Sequence, residues 1–336
     1  MKDKIDFVIT WVDGNDPKWQ EEKSKYELQY KEDDDKFENW NNNKIRYRDW
    51  NLLKYWFRAV EKNAPWINKI YFITYGHKPD WLNIENKKLV VVNHEDFIPK
   101  EYLPTFNSNC IELNMHRIKG LSERFVYFND DMFLLQKTKI DDFFKKGLPK
   151  ETAGSDCTSL DWNVGHAEIK NLQIINKYFN KRKVLRKDWK KWFNPVNGKE
   201  FIKTCFLLPW DQFTGLYESH VACAYLKSTF DTVWDKEKNV LNETCLSKFR
   251  SDSNVNHWLF KGWQLATGKF YPRSPKFGKM FLKKIDDEII NTVVKKKYKM
   301  VCINDVDCSE KEFITSQKMI ENAFEKIFPE KSKFEK

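Results

Sequence analysis

An apolar, aromatic segment that ends in two carboxylates constrains this 336-residue chain more than any other feature. Residues 124–128 are typical of a buried β-strand, and Asn129, Asp130 and Asp131 follow directly. In open α/β sheets, ligands bind outside the carboxyl ends of the strands. Paired carboxylates at that place can hold Mg²⁺ or Mn²⁺ against a phosphate. An Asn-Asp pair is also common in ordinary turns, so this segment alone leaves both interpretations open.

Three further strands are predicted before it, at residues 5–12, 69–74 and 88–92. They alternate with helices predicted at 49–63 and 109–121, where apolar residues recur at helical spacing. This alternation predicts an α/β fold with a mostly parallel, Rossmann-like sheet whose faces are covered. Asp13, His77, His94 and Asp130 would then lie at the same end of the sheet.

The remainder of the chain divides less sharply. Residues 20–45 are polar and predict a surface excursion, and 210–270 are predicted to be mostly helical. After a Lys-rich connector, a strand at 300–303 ends at Asp305, and a helix follows at 310–328. We therefore predict an α/β donor-binding core over 1–135 and an acceptor-binding or membrane-proximal insertion over 136–210. Residues 211–336 would form a helical region with a last strand that completes the core.

The charge and cysteine content narrow the classes of partner. The net charge is +10, which suits nucleotides, anionic glycans or an anionic membrane surface. The cations are interleaved with 49 acids and form no basic block, so we expect no nucleic-acid partner. Seven cysteines without CxxC spacing indicate a reducing compartment. No signal core or run of about eighteen apolar residues occurs, which predicts a cytoplasmic protein with at most peripheral contact at the inner membrane face.

The predicted helix before the acidic pair carries a second group of candidate residues. Glu112, His116 and Lys119 share one helical face. This face could supply a metal ligand, a phosphate contact or a proton acceptor, or it could be an ordinary solvated face. His116 and Arg117 add positive charge where a pyrophosphate would bind.

Several common nucleotide and hydrolase motifs are absent from the sequence. There is no GxxxxGK[ST], no GxGxxG after the first strand and no GxSxG. Acids at several strand ends, a metal-compatible site and nearby cations remain. These features suit phosphoryl or glycosyl transfer from a nucleotide-sugar.

Four blocks of the sequence resemble the conserved regions of the Stealth family. The first is Ile-Asp-Phe-Val-Ile-Thr-Trp-Val-Asp-Gly at 5–14, and the second extends over 64–131 and includes Asn-Asp-Asp at 129–131. The third extends over 220–258, and the fourth begins with Cys-Ile-Asn-Asp at 302–305. The family comprises bacterial hexose-1-phosphate transferases of capsule and cell-surface glycan synthesis, related to the animal lysosomal-enzyme N-acetylglucosamine-1-phosphotransferase.

The resemblance implies roles for particular residues. It places the catalytic centre at Glu112, Asp131, His220 and Arg250. Its acidic motifs imply metal ligands, which are Asp130, Asp131 and Asp305. It also implies a set of residues that contact the nucleotide-sugar donor: Trp11, Asp13, Gly14, Arg58, His116 and Arg117.

The reaction that the resemblance implies is transfer of a sugar-1-phosphate from a UDP-sugar, with Mg²⁺ or Mn²⁺ as cofactor. The acceptor would be a hydroxyl of an oligosaccharide or lipid-linked glycan, and UMP would be released. Two alternatives remain. One is a metal-dependent glycosyltransferase, which would release UDP; the other is a non-catalytic glycan- or nucleic-acid-binding module.

Overall fold

The computed structural model describes residues 4–33, 47–160 and 165–336. The strands in chain order are β1 (Ile5–Thr10), β2 (Ile70–Thr74), β3 (Leu89–Asn93), β4 (Arg124–Phe128), β5 (Met132–Leu134), β6 (Phe144–Lys145), β7 (Leu148–Glu151), β8 (Cys223–Leu226), β9 (Tyr271–Pro272), β10 (Gly278–Leu282) and β11 (Met300–Asn304). The helices are α1 (Pro17–Asp33), α2 (Leu53–Asn63), α3 (Ser108–Asn114), α4 (Ile140–Phe143), α5 (Gly165–Tyr178), α6 (Lys181–Lys187), α7 (Trp189–Trp192), α8 (Lys199–Phe206), α9 (Lys227–Leu246), α10 (Trp258–Thr267), α11 (Asp287–Val294) and α12 (Glu310–Ile327).

A five-stranded sheet in the order β3-β2-β1-β4-β8 forms the centre of the fold. Its first four strands are parallel, and Val8 on β1 lies opposite Tyr71 on β2 and Tyr127 on β4. Strand β8 joins the far edge in the antiparallel direction. The predicted α/β fold with a mostly parallel sheet is therefore confirmed.

Both faces of this sheet are buried, which explains why most residues of its strands are apolar. Successive side chains of a strand point to opposite faces. Phe7 and Ile9 belong to one core, together with residues of α2 and α12. Val8 belongs to the other, together with residues of α3, α9 and α10. Strands covered on both sides need apolar residues at every position rather than at every second one.

A second, three-stranded sheet adds another acidic strand end to the same region. Its order is β10-β11-β5, and β5 follows Asp131 directly. The Ile303 backbone N–H donates to the Asp131 carbonyl oxygen over 2.9 Å. This contact ties the end of β11 to the end of β4, although about 170 residues separate them in the sequence.

The helix before the acidic pair is shorter than predicted. Helix α3 ends at Asn114, and a 3₁₀ turn occupies 115–117. The solvated-face interpretation is wrong for Glu112 and His116, which are only 5 % and 6 % exposed, whereas Lys119 is exposed. Helix α9 covers His116 through the rings of Phe230 and Trp234, and Trp234 Nε1 donates to the Leu113 carbonyl oxygen over 2.8 Å. A helix more than a hundred residues later in the sequence therefore buries a histidine that looked solvated.

Other sequence predictions hold in part. Strands β1 to β4, β11 and helix α12 lie where they were predicted, and α2 begins four residues later than expected. Part of the predicted surface excursion is helix α1; residues 34–46 lie outside the described part of the chain. The mostly helical region contains strand β8, and the Lys-rich connector contains β10 and α11. Lysines interleaved with the apolar residues hid these elements.

Residues 136–210, which were predicted to be an insertion, contain α4 to α8 and the two short strands β6 and β7. Helices α5 to α8 follow one another between residues 165 and 206, and α5 packs against α10. The Asn171 side chain donates to the Asn256 side chain over 2.7 Å across this contact. None of the helices in the described parts of the chain is long and apolar enough to cross a bilayer.

Candidate active site

A cavity of about 300 Å³ opens where β1, β4 and β11 end. Its lining includes Glu112, Asp131, His220 and Arg250, the four residues predicted as the catalytic centre. They come from α3, the turn after β4, the segment before β8 and the segment after α9. The fold thus brings four distant parts of the sequence to one cavity, at the end of the sheet where ligands of α/β proteins bind.

Three carboxylates on the cavity wall form an acidic cluster, defined here as Asp49, Asp130 and Asp131. Asp130 is exposed to the open cavity, but protein surrounds it on most sides. Desolvation, followed by the negative charges of Asp131 and Asp49, raises the pKa of Asp130 to about 8. Desolvation also raises the pKa of Asp49. A divalent cation would remove this repulsion, and carboxylate oxygens are the donors that Mg²⁺ and Mn²⁺ prefer.

Asp131 is held by contacts from two other segments. Its Oδ2 accepts a hydrogen bond from the Cys302 Sγ at 3.2 Å and lies 3.9 Å from the His220 Nε2. One potential metal-binding atom from each of these three residues lies within 4.8 Å of the other two. The carboxylate orientation is therefore fixed by a buried thiol of β11 and by the imidazole of the segment before β8.

His220 has an unusual backbone conformation. Its φ is +39°, in the left-handed region that non-glycine residues rarely adopt. The ring packs edge-to-face against Trp258, with centroids 5.7 Å apart. Backbone strain of this kind is concentrated at functional sites, where the surrounding structure maintains it.

Glu112 is a buried acid with a network of donors. Tyr127 Oη donates to its Oε1 over 3.3 Å and also lies 3.1 Å from Thr10 Oγ1. Burial raises the pKa of Glu112 to about 7, against the opposing effect of the nearby Arg250 guanidinium. Arg250 Nε in turn donates to Ser108 Oγ over 3.1 Å. The Glu112 carboxyl can therefore gain or lose a proton near neutral pH.

Asp305 lies on the cavity wall but is bound to a cation of the protein itself. Arg48 Nε donates to its Oδ2 over 2.8 Å, and Arg48 Nη2 donates to its Oδ1 over 2.7 Å. The Val306 backbone N–H also donates to Oδ1 over 2.8 Å. This bidentate pair leaves Asp305 less suited to a metal than the acidic cluster is.

The loop after β1 reaches the cavity through Trp11, which lines it. Asp13 and Gly14 follow two and three residues later, and the Asp13 backbone N–H donates to His77 Nε2 over 2.8 Å. Desolvation lowers the pKa of His77, so its ring is neutral and can accept this bond. At Gly14, a Cβ would meet the Tyr47 carbonyl oxygen at 2.0 Å, and only glycine allows this close approach.

Three residues predicted to contact the donor lie away from the cavity. Arg58 makes a bidentate pair with Glu335, with 2.8 Å between Nη2 and Oε2. Arg117 is stacked on the Trp234 ring at 4.8 Å. His116 is buried beside this ring, and desolvation lowers its pKa to about 3, so it carries no positive charge. Among the described residues that line the cavity, none of these three appears.

Several residues of the cavity were not predicted from the sequence. Arg48 and Asp49 fall just before α2, and Cys302 lies within β11, where a buried thiol looks like ordinary core. Ser108 is the first residue of α3. Their positions depend on which loops meet at the sheet edge. A cation and an acid directly before a helix are the only signal that the sequence offered.

The chain is similar in sequence to family models and to named proteins. Stealth protein conserved region 1 matches residues 3–31, conserved region 2 matches 46–151 and conserved region 4 matches 291–336. A capsular polysaccharide phosphotransferase, WcwK, of Streptococcus pneumoniae is 47 % identical over 99 % of this chain and 98 % of its own length. The chain belongs to the Stealth family.

Other relatives of this chain carry similar names. The receptor polysaccharide phosphotransferase WefC of Streptococcus oralis is 42 % identical over 99 % of both chains. The exopolysaccharide phosphotransferase cps2G of Lactiplantibacillus plantarum is 40 % identical over 99 % of this chain and 96 % of its own. The resemblance found in the sequence and the predicted class of enzyme, a phosphotransferase, are thereby confirmed.

Proposed function

We propose that this Stealth protein transfers a sugar-1-phosphate from a UDP-sugar to a hydroxyl of an acceptor glycan and releases UMP. The product would be a phosphodiester in a capsular or cell-surface polysaccharide. The observation that carries the proposal is the convergence of Glu112, Asp131, His220 and Arg250 on one cavity beside the acidic cluster. The names of the relatives add support.

The proposed reaction breaks a single phosphorus–oxygen bond. The acceptor oxygen attacks the β-phosphorus of the UDP-sugar, and the bond from that phosphorus to the UMP oxygen breaks. The bond between the sugar's anomeric carbon and its oxygen survives. Such a displacement depends on charge neutralisation and in-line positioning more than on covalent catalysis.

Asp130 and Asp131 are the proposed ligands of Mg²⁺ or Mn²⁺. When bound, the cation would neutralise charge on the pyrophosphate. Desolvation, followed by the negative charges of Asp131 and Asp49, raises the pKa of Asp130 to about 8, and a cation bound there would offset both effects. Asp305 was an alternative ligand, but Arg48 occupies both of its oxygens. We therefore assign the ligand role to the acidic cluster.

Arg250 is the proposed donor to the transferred phosphoryl group. Ser108 and the Glu112 carboxylate beside it orient the guanidinium. Arginine suits this role because its planar donors match phosphate oxygens. Trp11, Asp13 and Gly14 are proposed to contact the uridine end of the donor, because their loop borders the same cavity.

His220 is the proposed general base for the acceptor hydroxyl. Its Nε2 lies 3.9 Å from Asp131 Oδ2, so the base and the metal ligand flank the same space. Glu112 is the competing candidate, since its pKa of about 7 also suits proton transfer at neutral pH. A covalent phosphohistidine at His220 is a third route.

The reaction is proposed to take place in the cytoplasm, at the inner face of the membrane.

Product analysis tests the proposal directly. The protein is incubated with Mn²⁺, a panel of UDP-sugars and oligosaccharide acceptors, and the nucleotide product is identified by mass spectrometry. Release of UMP together with a phosphodiester-linked product is the expected result. Release of UDP would identify a glycosyltransferase instead. Consumption of no donor, with acceptor binding indifferent to Asp131→Ala, would identify a binding module.

A further inference from the structure

The helical insertion exposes a group of large apolar side chains that its own fold leaves uncovered. Four of them lie on α8 and the turn after it, and we call them the apolar edge: Ile202, Phe206, Leu208 and Trp210. Phe206 is 77 % exposed, Trp210 54 % and Ile202 53 %. Ile202 and Phe206 are four residues apart on α8 and so point the same way.

This exposure is unusual because isolated surface apolar residues are common, whereas grouped aromatic ones mark contact surfaces. The opposite side of α8 is anchored to the protein. Glu200 and Thr204 are fully buried, and the Thr204 hydroxyl accepts a bond from the Ser155 backbone N–H over 2.9 Å. The helix is therefore held firmly with its apolar side outward.

Basic helix α6 lies directly beside the apolar edge. Arg182 Nη2 donates to the Pro209 carbonyl oxygen over 2.9 Å, and Lys181 donates to the Leu207 carbonyl oxygen. Residues 181–211 contain nine Lys and Arg against three Asp and Glu, a net charge of +6 within a chain of +10. More than half of the net charge of the protein thus lies in 31 residues around the apolar edge.

We infer that the apolar edge and helix α6 form a docking surface for an anionic phospholipid membrane. The aromatic side chains would enter the interface between headgroups and acyl chains, and the cations would contact lipid phosphates. A protein partner would need acids that match a cluster of this size, whereas an anionic bilayer offers negative charge everywhere. The surface is separate from the cavity, since no described lining residue of the cavity comes from 136–210.

Vesicle flotation tests the inference. The full chain is mixed with vesicles of phosphatidylcholine alone, or of phosphatidylcholine with phosphatidylglycerol, and the bound fraction is measured at low and high salt. We expect binding to the anionic vesicles only, weakened by salt because the exposed cations are screened. The double variant Phe206→Ser, Trp210→Ser should bind at least about tenfold more weakly.

A matched control separates this surface from general stickiness. Leu28 on α1 is 66 % exposed, and Leu28→Ser should leave vesicle binding unchanged. Replacing Lys183 and Arg186 with Gln should reduce the preference for anionic lipid while a melting curve shows intact folding. Equal loss in the Leu28 and Phe206 variants, or equal binding to both vesicle types, would overturn the inference.

A second copy of the chain is the other occupant that the experiment can reveal. Light scattering of the purified protein reports its mass in solution. If the protein is a dimer that the Phe206, Trp210 variant converts to a monomer, the surface is a subunit interface and the inference fails. Vesicle binding needs no enzyme assay, so its outcome is independent of the proposed transfer reaction.

Discussion

Two groups of charged side chains in this protein differ in how their charges are balanced. The acidic cluster has three carboxyl groups, and burial and the two neighbouring acids all raise the pKa of Asp130. The second group, which we call the ion cluster, pairs two acids with two bases: Glu151, Glu218, Lys261 and Arg273. Lys261 Nζ lies 2.5 Å from Glu218 Oε2, and Arg273 Nη2 lies 3.3 Å from Glu151 Oε1.

The pKa directions reflect this difference. In the ion cluster, burial alone would raise the pKa of Glu151, but Lys261 and Arg273 outweigh it and the pKa is lowered. Burial does raise the pKa of Glu218 to about 8, even beside Lys261. In the acidic cluster, by contrast, the neighbouring charges add to the effect of burial on Asp130. In a balanced buried cluster each acid has a base beside it, whereas an unbalanced acidic cluster in a cavity is a candidate cation site.

The largest expected effect comes from the acidic cluster. Asp131→Asn removes the carboxylate that the proposed cation needs, so transfer should fall about a thousandfold or more. The melting temperature should not fall, because a negative charge beside two other acids is removed. Rates of UMP release and thermal melting curves measure the two effects. Glu85→Gln, at an exposed loop acid, is the control, and an Asp131→Asn enzyme with a tenth of normal turnover would contradict the assignment.

The ion cluster should respond in the opposite way. Lys261→Met leaves Glu151 and Glu218 buried with one base fewer, which should lower the free energy of unfolding by about 3–5 kcal/mol. Urea denaturation measures this loss. Lys284→Met removes an exposed pair with Glu312 and should leave stability unchanged. If Lys261→Met reduced turnover while stability stayed normal, the ion cluster would belong to the active site rather than to the framework.

Part of the fold and of the candidate site could be predicted from the sequence alone. The parallel sheet was predictable because strands buried on both faces carry continuous apolar runs, as β1 and β4 do. The acids at the ends of β4 and β11 were predictable from their place directly after such runs. The proposed roles of His220 and Arg250 came from the family resemblance, because no local sequence feature distinguishes either residue.

The features that could not be predicted from the sequence depend on contacts between distant segments of the chain. Arg48 occupies Asp305 across about 250 residues of sequence, and no pattern indicates that pair. His116 looked like a phosphate contact, but the later helix α9 buries it. The ion cluster joins β7, the segment before β8, helix α10 and the residue after β9. Each of its residues alone looks like an ordinary surface charge. Sequence periodicity describes single elements, and these pairings are decided between elements.

A third prediction concerns Glu112, the buried acid of the cavity, and how its protonation affects the rate of transfer. Its pKa is raised to about 7, so the carboxylate that orients Arg250 is present above this pH and lost below it. The rate of transfer should therefore rise with pH through about 7, and Glu112→Gln should be about a hundredfold slower and lack this rise. A pH–rate profile of His220→Asn is the comparison. If the His220 variant loses the rise and the Glu112 variant keeps it, Glu112 is not the titrating group.

The smallest effect is a change in stability when a cation binds. The pKa of Asp130 is about 8 in the folded protein, above its ordinary value of 3.8. Between about pH 4 and pH 8, Asp130 therefore keeps a proton in the folded state that it has already lost in the unfolded state. The free energy of unfolding without metal should fall as the pH rises across this range. Mn²⁺ would replace that proton, and at pH 8 it should raise the melting temperature by roughly 3–6 °C.

Two variants decide whether the acidic cluster causes this gain. Asp130→Asn should remove both the loss of stability with pH and the gain with Mn²⁺. Asp305→Asn should keep the gain, because Arg48 rather than a metal occupies that carboxylate. Thermal melting with and without Mn²⁺ measures all three proteins. An unchanged gain in Asp130→Asn, or its loss in Asp305→Asn alone, would move the metal from the acidic cluster to the end of β11.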